Sequence, residues 1–288
     1  MIGIVLAGGT GSRLWPVTRG VSKQLLPIYD KPLIFFPIAT LMQAKISKIV
    51  IITTPQDQAA FMQVLGDGKN LGVEFVYLIQ NKPNGLAESF IIANEVGARQ
   101  KVALILGDNL FHGGGLENNL QNFRNISGAQ IFGYEVRDPE RYGVVEFDSN
   151  GKVISLEEKP VEPKSKYAVP GLYFYDEQVW DIATKIKPSS RGELEITAIN
   201  QEYLDRNELH IDILDRGIAW LDTGTFDSLS DASSYVRTLE DRQGVQIACL
   251  EEIALRNSWI TNVELIQQIR NFGPGRYRTY LESLIDIK

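Results

Sequence analysis

The sequence of 288 residues has few of the side chains that enzymes use as nucleophiles or as ligands of transition metals. It contains one cysteine, Cys249, and two histidines, His112 and His210. A single cysteine excludes an internal disulfide, which is typical of a reducing compartment, and we expect a cytoplasmic protein. No His/Cys cluster has the spacing of a zinc site, and no Gly-x-Ser-x-Gly elbow occurs. Hydrolysis through a nucleophilic triad is therefore not expected.

Two further absences narrow the class of protein. The chain has 29 Lys and Arg against 36 Asp and Glu, and it has no dense basic stripe. A nucleic-acid-binding protein would normally carry such a stripe, so we expect no nucleic-acid partner. No apolar run approaches the roughly 18 residues of a membrane span. The first residues show no basic leader, so we predict neither a membrane segment nor a signal peptide.

The first part of the chain alternates apolar strands with helical segments. The predicted strands cover residues 1–6, 48–53, 73–78 and 102–106, and the predicted helices cover 31–44, 57–65, 86–96 and 116–123. Such alternation predicts βαβ units with a mainly parallel sheet. The strands are continuous apolar runs, as in a sheet that helices cover on both faces. We therefore expect an α/β fold with three layers, α/β/α.

The pattern changes after about residue 129. Closely spaced strand-like segments at 129–134, 142–147, 153–158 and 168–175 predict antiparallel additions to the sheet or a small β layer. From residue 226 onwards the chain is mostly helical, with helices predicted over 226–239 and 263–269. No repeat or linker interrupts it. We therefore predict a single domain over residues 1–288, with a core at 1–225 and a helical C-terminal extension at 226–288.

The turn after the first strand is rich in glycine and is followed by positive charge. Its residues are Gly8, Gly9, Thr10, Gly11 and Ser12, and Arg13 and Lys23 come after them. Backbone N–H groups in such a turn can bind phosphate oxygens. Leu14 stands where a dinucleotide fingerprint needs its third glycine, and no Lys follows the glycines as in a P-loop. We predict a phosphate-binding turn, with a purely structural turn as the alternative.

Three polar side chains also follow strand-like segments: Gln80 follows 73–78, Asp108 follows 102–106, and Asp222 follows a further segment at 218–221. Ligands of such sheets bind outside the carboxyl ends of the strands, so these side chains are candidates for one site. Two carboxylates could hold one Mg²⁺ beside substrate phosphates. The alternatives are a helix N-cap for Asp108 and a turn for Asp222. Chemistry by positioning and charge neutralisation, as in phosphoryl or nucleotidyl transfer, fits these residues.

Two charged segments have open interpretations. Glu158 could accept hydrogen bonds from sugar hydroxyls and Lys159 could bind a sugar phosphate, or both could belong to an exposed charge cluster. The segment that starts at Arg191 has the pattern of a helix start, with acidic residues near the positive end of the helix dipole.

Several segments together resemble the sugar-1-phosphate nucleotidylyltransferase family. They are 6–14 (LAGGTGSRL), 23–27 (KQLLP), 54–57 (TPQD), 65–68 (LGDG), 107–109 (GDN), 138–147 (DPERYGVVEF), 155–160 (SLEEKP), 171–175 (GLYFY), 191–197 (RGELEIT) and 220–225 (WLDTGT). Within the family the chain most resembles the short bacterial type, which makes dTDP-glucose from dTTP and glucose 1-phosphate. The resemblance covers nearly the whole chain and implies a Rossmann-like nucleotidyltransferase fold.

The resemblance also implies roles for individual residues. The glycine turn would wrap the dTTP phosphates, Arg13 would neutralise the departing pyrophosphate, and Lys23 would contact the α-phosphoryl oxygens. Asp108 and Asp222 would hold Mg²⁺. The residues implied at the base are Gln24, Gln80 and Gly85. Those implied at the sugar phosphate are Asn109, Gly143, Glu158, Lys159, Val169, Tyr173 and Arg191.

Some features depart from the pattern that the resemblance leads us to expect. Asn84 replaces an acid before Gly85, and Pro170 stands where a threonine is usual. UTP or another sugar 1-phosphate therefore stays an alternative, as does a non-catalytic nucleotide-sugar sensor. The family further implies a homotetramer and an end-product nucleotide sugar that inhibits at a second site between subunits.

Overall fold

The structure is a computed structural model that describes residues 1–9, 11–149 and 151–286. The strands in these ranges are β1 Ile2–Ala7, β2 Pro27–Ile28, β3 Lys31–Pro32, β4 Lys48–Thr53, β5 Glu74–Ile79, β6 Val102–Leu106, β7 Asn109–Gly113, β8 Ala129–Glu135, β9 Gly143–Phe147, β10 Val153–Glu158, β11 Tyr167–Ala168, β12 Leu172–Tyr175, β13 Leu209–Ile213 and β14 Ile218–Asp222. The α-helices are α1 Phe35–Gln43, α2 Gln58–Leu65, α3 Glu88–Gly97, α4 Leu116–Asn122, α5 Val179–Ala183, α6 Ile196–Asp205, α7 Phe226–Gln243, α8 Leu250–Arg256, α9 Asn262–Ile269 and α10 Arg276–Asp286.

A single large sheet runs through the molecule. Within the described residues its strand order is β10-β9-β11-β8-β12-β6-β1-β4-β5, and β13 pairs with β8. Strands β6, β1, β4 and β5 are parallel, whereas β12 is antiparallel to both of its neighbours. The mainly parallel, mixed sheet that the sequence predicts is confirmed. The antiparallel strands β9, β10 and β11 form the small β addition at one end.

Alternate side chains of the central strands enter two different cores. In β1, Val5 packs into the core beneath α1, while Ile4 packs into the core that contains Phe90 of α3. In β6, Ile105 packs into the first of these cores and Leu104 packs into the second. A strand that is buried on both faces needs apolar residues at every position, which explains the continuous runs in the sequence. The three-layer arrangement is confirmed.

Several predicted boundaries are wrong. The helix predicted over 31–44 begins only at Phe35, because Lys31–Pro32 pairs with Pro27–Ile28 as a short antiparallel hairpin. Pro37 lies in the first turn of α1, where its missing N–H leaves no intrahelical bond unmade. The strand predicted over 168–175 is two short strands, since the chain between Ala168 and Leu172 leaves the sheet.

The C-terminal helices pack on the same core as the sheet. Leu250 of α8, Leu265 of α9 and Leu281 of α10 are buried in the cluster that also holds Val5 of β1. Helix α8 lies against α1, and α7 lies against β2 and β14. The helices α8 and α10 were not predicted from the sequence. The division of the chain into a core and an extension at residue 225 stays a prediction. One hydrophobic core contains side chains from both sides of that boundary.

Strands β7 and β14 form a two-stranded ribbon that is separate from the large sheet; β7 follows β6 in the chain, and β14 precedes α7. Strands β7 and β14 pair antiparallel, and the pairs run from Gly113 with Ile218 to Asn109 with Asp222. Strand β7 was missed in the sequence because a polar turn precedes it. No helix in the described ranges is long and apolar enough to cross a membrane.

Candidate active site

A cavity of about 340 Å³ opens at the carboxyl ends of β1 and β6. The predicted phosphate-side and base-side residues that line it are Gly9, Gly11, Ser12, Arg13, Lys23 and Gln24. The predicted sugar-side residues that line it are Asn109, Gly143, Glu158, Lys159, Val169 and Tyr173. Asp108 and Asp222 line it as well. The structure therefore brings most of the predicted site to one cavity.

The ribbon of β7 and β14 explains how two acids that are distant in sequence share this cavity. Asp222 is the last residue of β14 and pairs with Asn109, the first residue of β7. Asp108 directly precedes that residue. The hydroxyl of Thr223 donates to the Asp108 backbone carbonyl at 2.9 Å and fixes the end of the ribbon. Asp108 thus lies in the turn between β6 and β7 and caps no helix.

Lys23 and Asp108 form an ion pair on the cavity wall. The Nζ of Lys23 donates to Oδ2 of Asp108 at 2.7 Å, and the Lys23 side chain is only 8% exposed. The other oxygen of Asp108, Oδ1, accepts from the Asn109 amide at 2.9 Å. An ammonium has three donors, so Lys23 keeps donors for a ligand while the carboxylate compensates its buried charge.

Asp222 has a less complete environment. Burial raises the pKa of its carboxyl, and the negative charge of Asp108 raises it further, whereas Lys23, Arg141 and Arg13 lower it. The nearest cation contact is long: the Arg141 guanidinium lies 3.6 Å from Oδ2 of Asp222 and also pairs with Asp138 at 2.6 Å. In the described part of the chain, Arg13 forms no ion pair. Two carboxylates and an unpaired guanidinium therefore face the same space.

The donor set at the two acids fits a divalent cation. Carboxylate oxygens are hard ligands, and the pKa of Asp222 is raised in part by Asp108, a repulsion that a bound cation would relieve. Space beside the Asp222 oxygens exists because residue 224 is glycine: a Cβ there would lie 3.3 Å from both oxygens. No group of three or more metal-binding side chains occurs in the described ranges. A cation here would need water and phosphate oxygens to complete its shell, as Mg²⁺ commonly does.

The sugar-side residues form a hydrogen-bonded cluster around Glu158. This residue ends β10 and pairs with Gly143 of β9, and its Oε2 accepts from the Thr197 hydroxyl at 2.6 Å. The Nζ of Lys159 lies 3.6 Å from Oε1. Arg191 lies 3.8 Å from the same oxygen, but it does not itself line the cavity. Glu158 therefore links three side chains that could bind hydroxyls or phosphate.

Asn109 and Trp220 form a hydrogen-bonded pair beside Asp108. Oδ1 of Asn109 accepts from the Trp220 indole N–H at 2.6 Å and from the Gly171 backbone N–H at 3.1 Å. Its amide nitrogen donates to Asp108. Three contacts fix this amide, so Asn109 orients Asp108 whether or not it also contacts a sugar. Tyr142 stacks edge-on against Trp220 with ring centroids 5.0 Å apart.

Some predicted residues lie just behind the cavity wall. Gly8 is buried and precedes the lining residue Gly9, Gln80 is buried against Gly8, and Gly85 precedes the lining residue Leu86. Gly85 has φ +110°, and a Cβ on it would lie 2.4 Å from the Leu194 carbonyl oxygen, so only glycine fits. Thr10 lies outside the described residues.

Sequence reasoning missed other cavity residues. Arg141 and Tyr142 lie in the quoted segment 138–147, and Thr197 lies in 191–197, so the motifs contained them without assigning them a role. Asn200 also lines the cavity, from the buried face of α6, and nothing in the sequence pattern marks it.

Comparisons with known proteins agree with this geometry. The sequence profile of a family described as nucleotidyl transferase matches residues 2–238. A glucose-1-phosphate thymidylyltransferase of Mycobacterium tuberculosis is 55% identical over 287 residues, which are 99% of this chain and 99% of that protein. A protein of the same name from Neisseria gonorrhoeae is 51% identical over 286 residues, again 99% of each chain.

Solved structures show the same likeness. A candidate glucose-1-phosphate thymidylyltransferase from Bacillus anthracis, in complex with sucrose, aligns with a TM-score of 0.77 and 41% identity. The alignment covers 82% of this chain and 95% of that one. A UDP-glucose pyrophosphorylase complexed with UDP-glucose is 23% identical, with a TM-score of 0.72 over 83% of this chain and 99% of that one, and it shows the shared fold.

Proposed function

Because the chain belongs to the nucleotidyl transferase family, whose members generally use a divalent metal, we propose that it transfers a thymidylyl group from dTTP to glucose 1-phosphate. The products would be dTDP-glucose and pyrophosphate. Relatives with more than half of their residues identical to this chain are named for this activity. The reaction would be the first step of dTDP-rhamnose-type sugar synthesis.

The observation that carries the proposal is the division of one cavity into two chemically different ends. Arg13, Lys23 and the two acids face the end at β1 and β6, where phosphates and a metal ion would be held. Glu158, Thr197 and Lys159 face the other end, where their oxygens and ammonium suit the hydroxyls and phosphate of a sugar phosphate. A nucleotidyl transfer needs both ends in one cavity, because the sugar phosphate must reach the α-phosphorus of the nucleotide.

The chain's own groups would act mainly by position and charge. An oxygen of the sugar phosphate would attack the α-phosphorus of dTTP in line, forming one P–O bond while the bond to the pyrophosphate oxygen breaks. Lys23 would hold the α-phosphoryl oxygens, Arg13 would neutralise the pyrophosphate as it departs, and Lys159 would orient the sugar phosphate. No general base is needed, because the second pKa of a phosphate monoester is about 6 and the nucleophile is already anionic.

We propose Mg²⁺ as the divalent metal, held by Asp108 and Asp222. When bound there, it would neutralise phosphate charge and help to orient the reacting groups. The acid pair, the long Arg141 contact and the space beside Gly224 support this assignment.

We further propose, from the resemblance of the chain to its family, that the protein is a cytoplasmic homotetramer which an end-product nucleotide sugar inhibits at a second site between subunits. Light scattering should find particles of four chains. Monomers or dimers at assay concentration would contradict the assembly but not the reaction.

The test of the reaction is a substrate panel with pyrophosphate detection. It pairs dTTP and UTP with glucose 1-phosphate and other hexose 1-phosphates, with and without Mg²⁺. We expect the highest kcat/KM for dTTP with glucose 1-phosphate, and turnover that requires the metal. A clear preference for UTP would overturn the substrate assignment. Absence of turnover with every pair would favour a nucleotide-sugar sensor.

A further inference from the structure

Gln80 has an unusual combination of burial and an unpartnered acceptor. It follows β5, is only 4% exposed, and its backbone N–H donates to Thr53 at 2.9 Å. In the described part of the chain, no donor contacts its side-chain Oε1. That oxygen points at Gly8, where a Cβ would lie only 2.7 Å from it. The oxygen itself is not fully enclosed, so solvent or a ligand can still reach it and supply the missing donor.

The orientation of this amide follows from its partners. The Nε2 of Gln80 donates to Oε2 of Glu88 at 2.7 Å and to the Gly85 carbonyl oxygen at 3.3 Å. A carboxylate and a backbone carbonyl can only accept, so the end of the amide that faces them must be the NH₂ group. Both of its hydrogens are used there. Only the acceptor Oε1 is left for a ligand.

Glu88 also fixes the loop that precedes it. Its Oε1 accepts from the Asn84 amide at 2.7 Å, so one carboxylate bridges the two amides of Gln80 and Asn84. Asn84 stands where we expected an acid, and Glu88 supplies a carboxylate four residues later. It lies in the first turn of α3, where the helix dipole favours a negative charge.

The place of Gln80 in the sheet indicates which part of a nucleotide it would meet. Strand β5 is two strands from β1, on the side away from β6 and its following residue Asp108. Phosphates belong beside the cations and the acids, and a carbonyl acceptor would repel phosphate oxygens. The free Oε1 therefore needs a hydrogen-bond donor at the far end of the nucleotide, which is the base.

A second glutamine presents the complementary group. The Ser22 hydroxyl donates to Oε1 of Gln24 at 2.7 Å, which leaves the Gln24 amide nitrogen to donate. One acceptor and one donor match the edge of thymine or uracil, where N3–H lies beside a carbonyl. If cytosine occupies the same position, its N3 acceptor faces the Gln80 oxygen and its amino group faces the Gln24 donor, so both hydrogen bonds are lost.

We propose that Glu88 is a positioning residue that sets base selectivity: by holding the Gln80 amide with its oxygen towards the base, it selects bases with an N3–H against cytosine. The inference rests on the proposed thymidylyl transfer and assigns the residue that enforces its base preference. It makes no distinction between thymine and uracil, since both carry N3–H.

The test measures kcat/KM with dTTP, dUTP and dCTP for the full-length protein and three variants. Glu88→Ala should lower the ratio of dTTP to dCTP about tenfold, because the freed amide can turn over and present its donors. Glu88→Gln should keep the ratio within about threefold, since its side-chain carbonyl can accept in the same place. Glu95→Ala, an exposed glutamate on the same helix, is the matched control and should equal the parent.

The ratio of dTTP to dUTP should stay constant in all variants, and thermal unfolding checks the fold. An unchanged dTTP to dCTP ratio in Glu88→Ala would overturn the inference. So would an equal fall with all three nucleotides together with a lower Tm, which would show a merely structural role. If the parent protein itself does not use dTTP, the proposed function fails. If the parent prefers dTTP and the ratio survives Glu88→Ala, only the role of Glu88 fails.

Discussion

The two ends of the cavity handle charge in opposite ways. At the phosphate end, Arg13 has no ion-pair partner among the described residues, and the pKa of Asp222 is raised by burial and by Asp108. At the sugar end, Arg191 lies within 4 Å of three carboxylates: Glu158 at 3.8 Å, Glu193 at 3.2 Å and Glu195 at 3.7 Å. Beside the Lys23–Asp108 ion pair, the phosphate end leaves Arg13 and Asp222 without a close partner in the described ranges, whereas the sugar end compensates Arg191 within the chain.

This difference follows the charge of the ligands proposed for each end. A triphosphate with a divalent cation brings large charges of both signs, which can pair with Arg13 and with the carboxylates of Asp108 and Asp222. Glucose 1-phosphate brings neutral hydroxyls, which need oriented acceptors and donors, and a single phosphate, for which Lys159 would supply the positive charge. We therefore expect substitutions at the phosphate end to change kcat strongly and those at the sugar end to change KM for the sugar phosphate.

The largest effect is expected at Lys23. Lys23→Met keeps the apolar stem but removes the ammonium that would contact the α-phosphoryl oxygens. Loss of one such contact should lower kcat/KM on the order of a hundredfold or more. Pyrophosphate release over a range of concentrations of both substrates measures kcat and kcat/KM. Turnover within a few-fold of the parent would show that Lys23 only supports Asp108.

Arg13 should have a smaller but clear effect. Arg13→Ala removes an exposed guanidinium that lines the cavity, and we expect kcat to fall roughly tenfold to a hundredfold, since a positive charge near the leaving group is lost. Arg19→Ala is the matched control, because Arg19 lies on the same segment and stacks on Trp15. Equal losses in both variants would contradict a specific role for Arg13.

The smallest effect is expected at Thr197. Thr197→Val removes the hydroxyl that donates to Glu158 and nearly keeps the shape. The KM for glucose 1-phosphate should rise about threefold to tenfold, as for one lost hydrogen bond, with kcat and the KM for dTTP little changed. Thr184→Val, on an exposed turn, is the control. A fall in kcat without a change in KM would end the contrast between the two ends.

Much of the fold could be predicted, because strands that are buried on both faces appear in the sequence as continuous apolar runs. The strands at 48–53 and 102–106 are observed with the predicted bounds. Helix α8 was missed because Glu251 and Glu252 in its first turn suggest an exposed segment, yet both are buried. The phenol of Tyr280 donates to Glu252 at 2.7 Å, and such a partner cannot be found from local sequence.

The candidate site shows the same limit. Strand ends identified Asp108 and Gln80, which follow the parallel strands β6 and β5, since the carboxyl edge of a parallel sheet is a general place for ligands. Asp222 was also found as a strand end, but its strand β14 belongs to the antiparallel ribbon. The partners of these residues could not be identified from the sequence. Arg141 is an example, because Asp222 comes within its range only when β14 pairs with β7. The role of Glu88 depends on which end of an amide faces it, and that orientation is visible only in the folded chain.

The central claim is that the phosphate end is left electrostatically incomplete for a metal-bound ligand, and Asp222 tests it most directly. A carboxyl whose pKa is raised by folding destabilises the folded state when it is ionised, at pH values above that pKa. Below its ordinary value of 3.8 the carboxyl is protonated in both states and the penalty disappears.

The decisive measurement is thermal unfolding of the parent and Asp222→Asn across pH, with and without Mg²⁺ and dTTP. Without ligands, Asp222→Asn should have the higher Tm at neutral pH, and the difference should shrink towards acid pH. Mg²⁺ with dTTP should raise the Tm of the parent far more than that of the variant. A variant that is less stable than the parent at neutral pH without ligands, or equal stabilisation of both by Mg²⁺ with dTTP, would contradict the account.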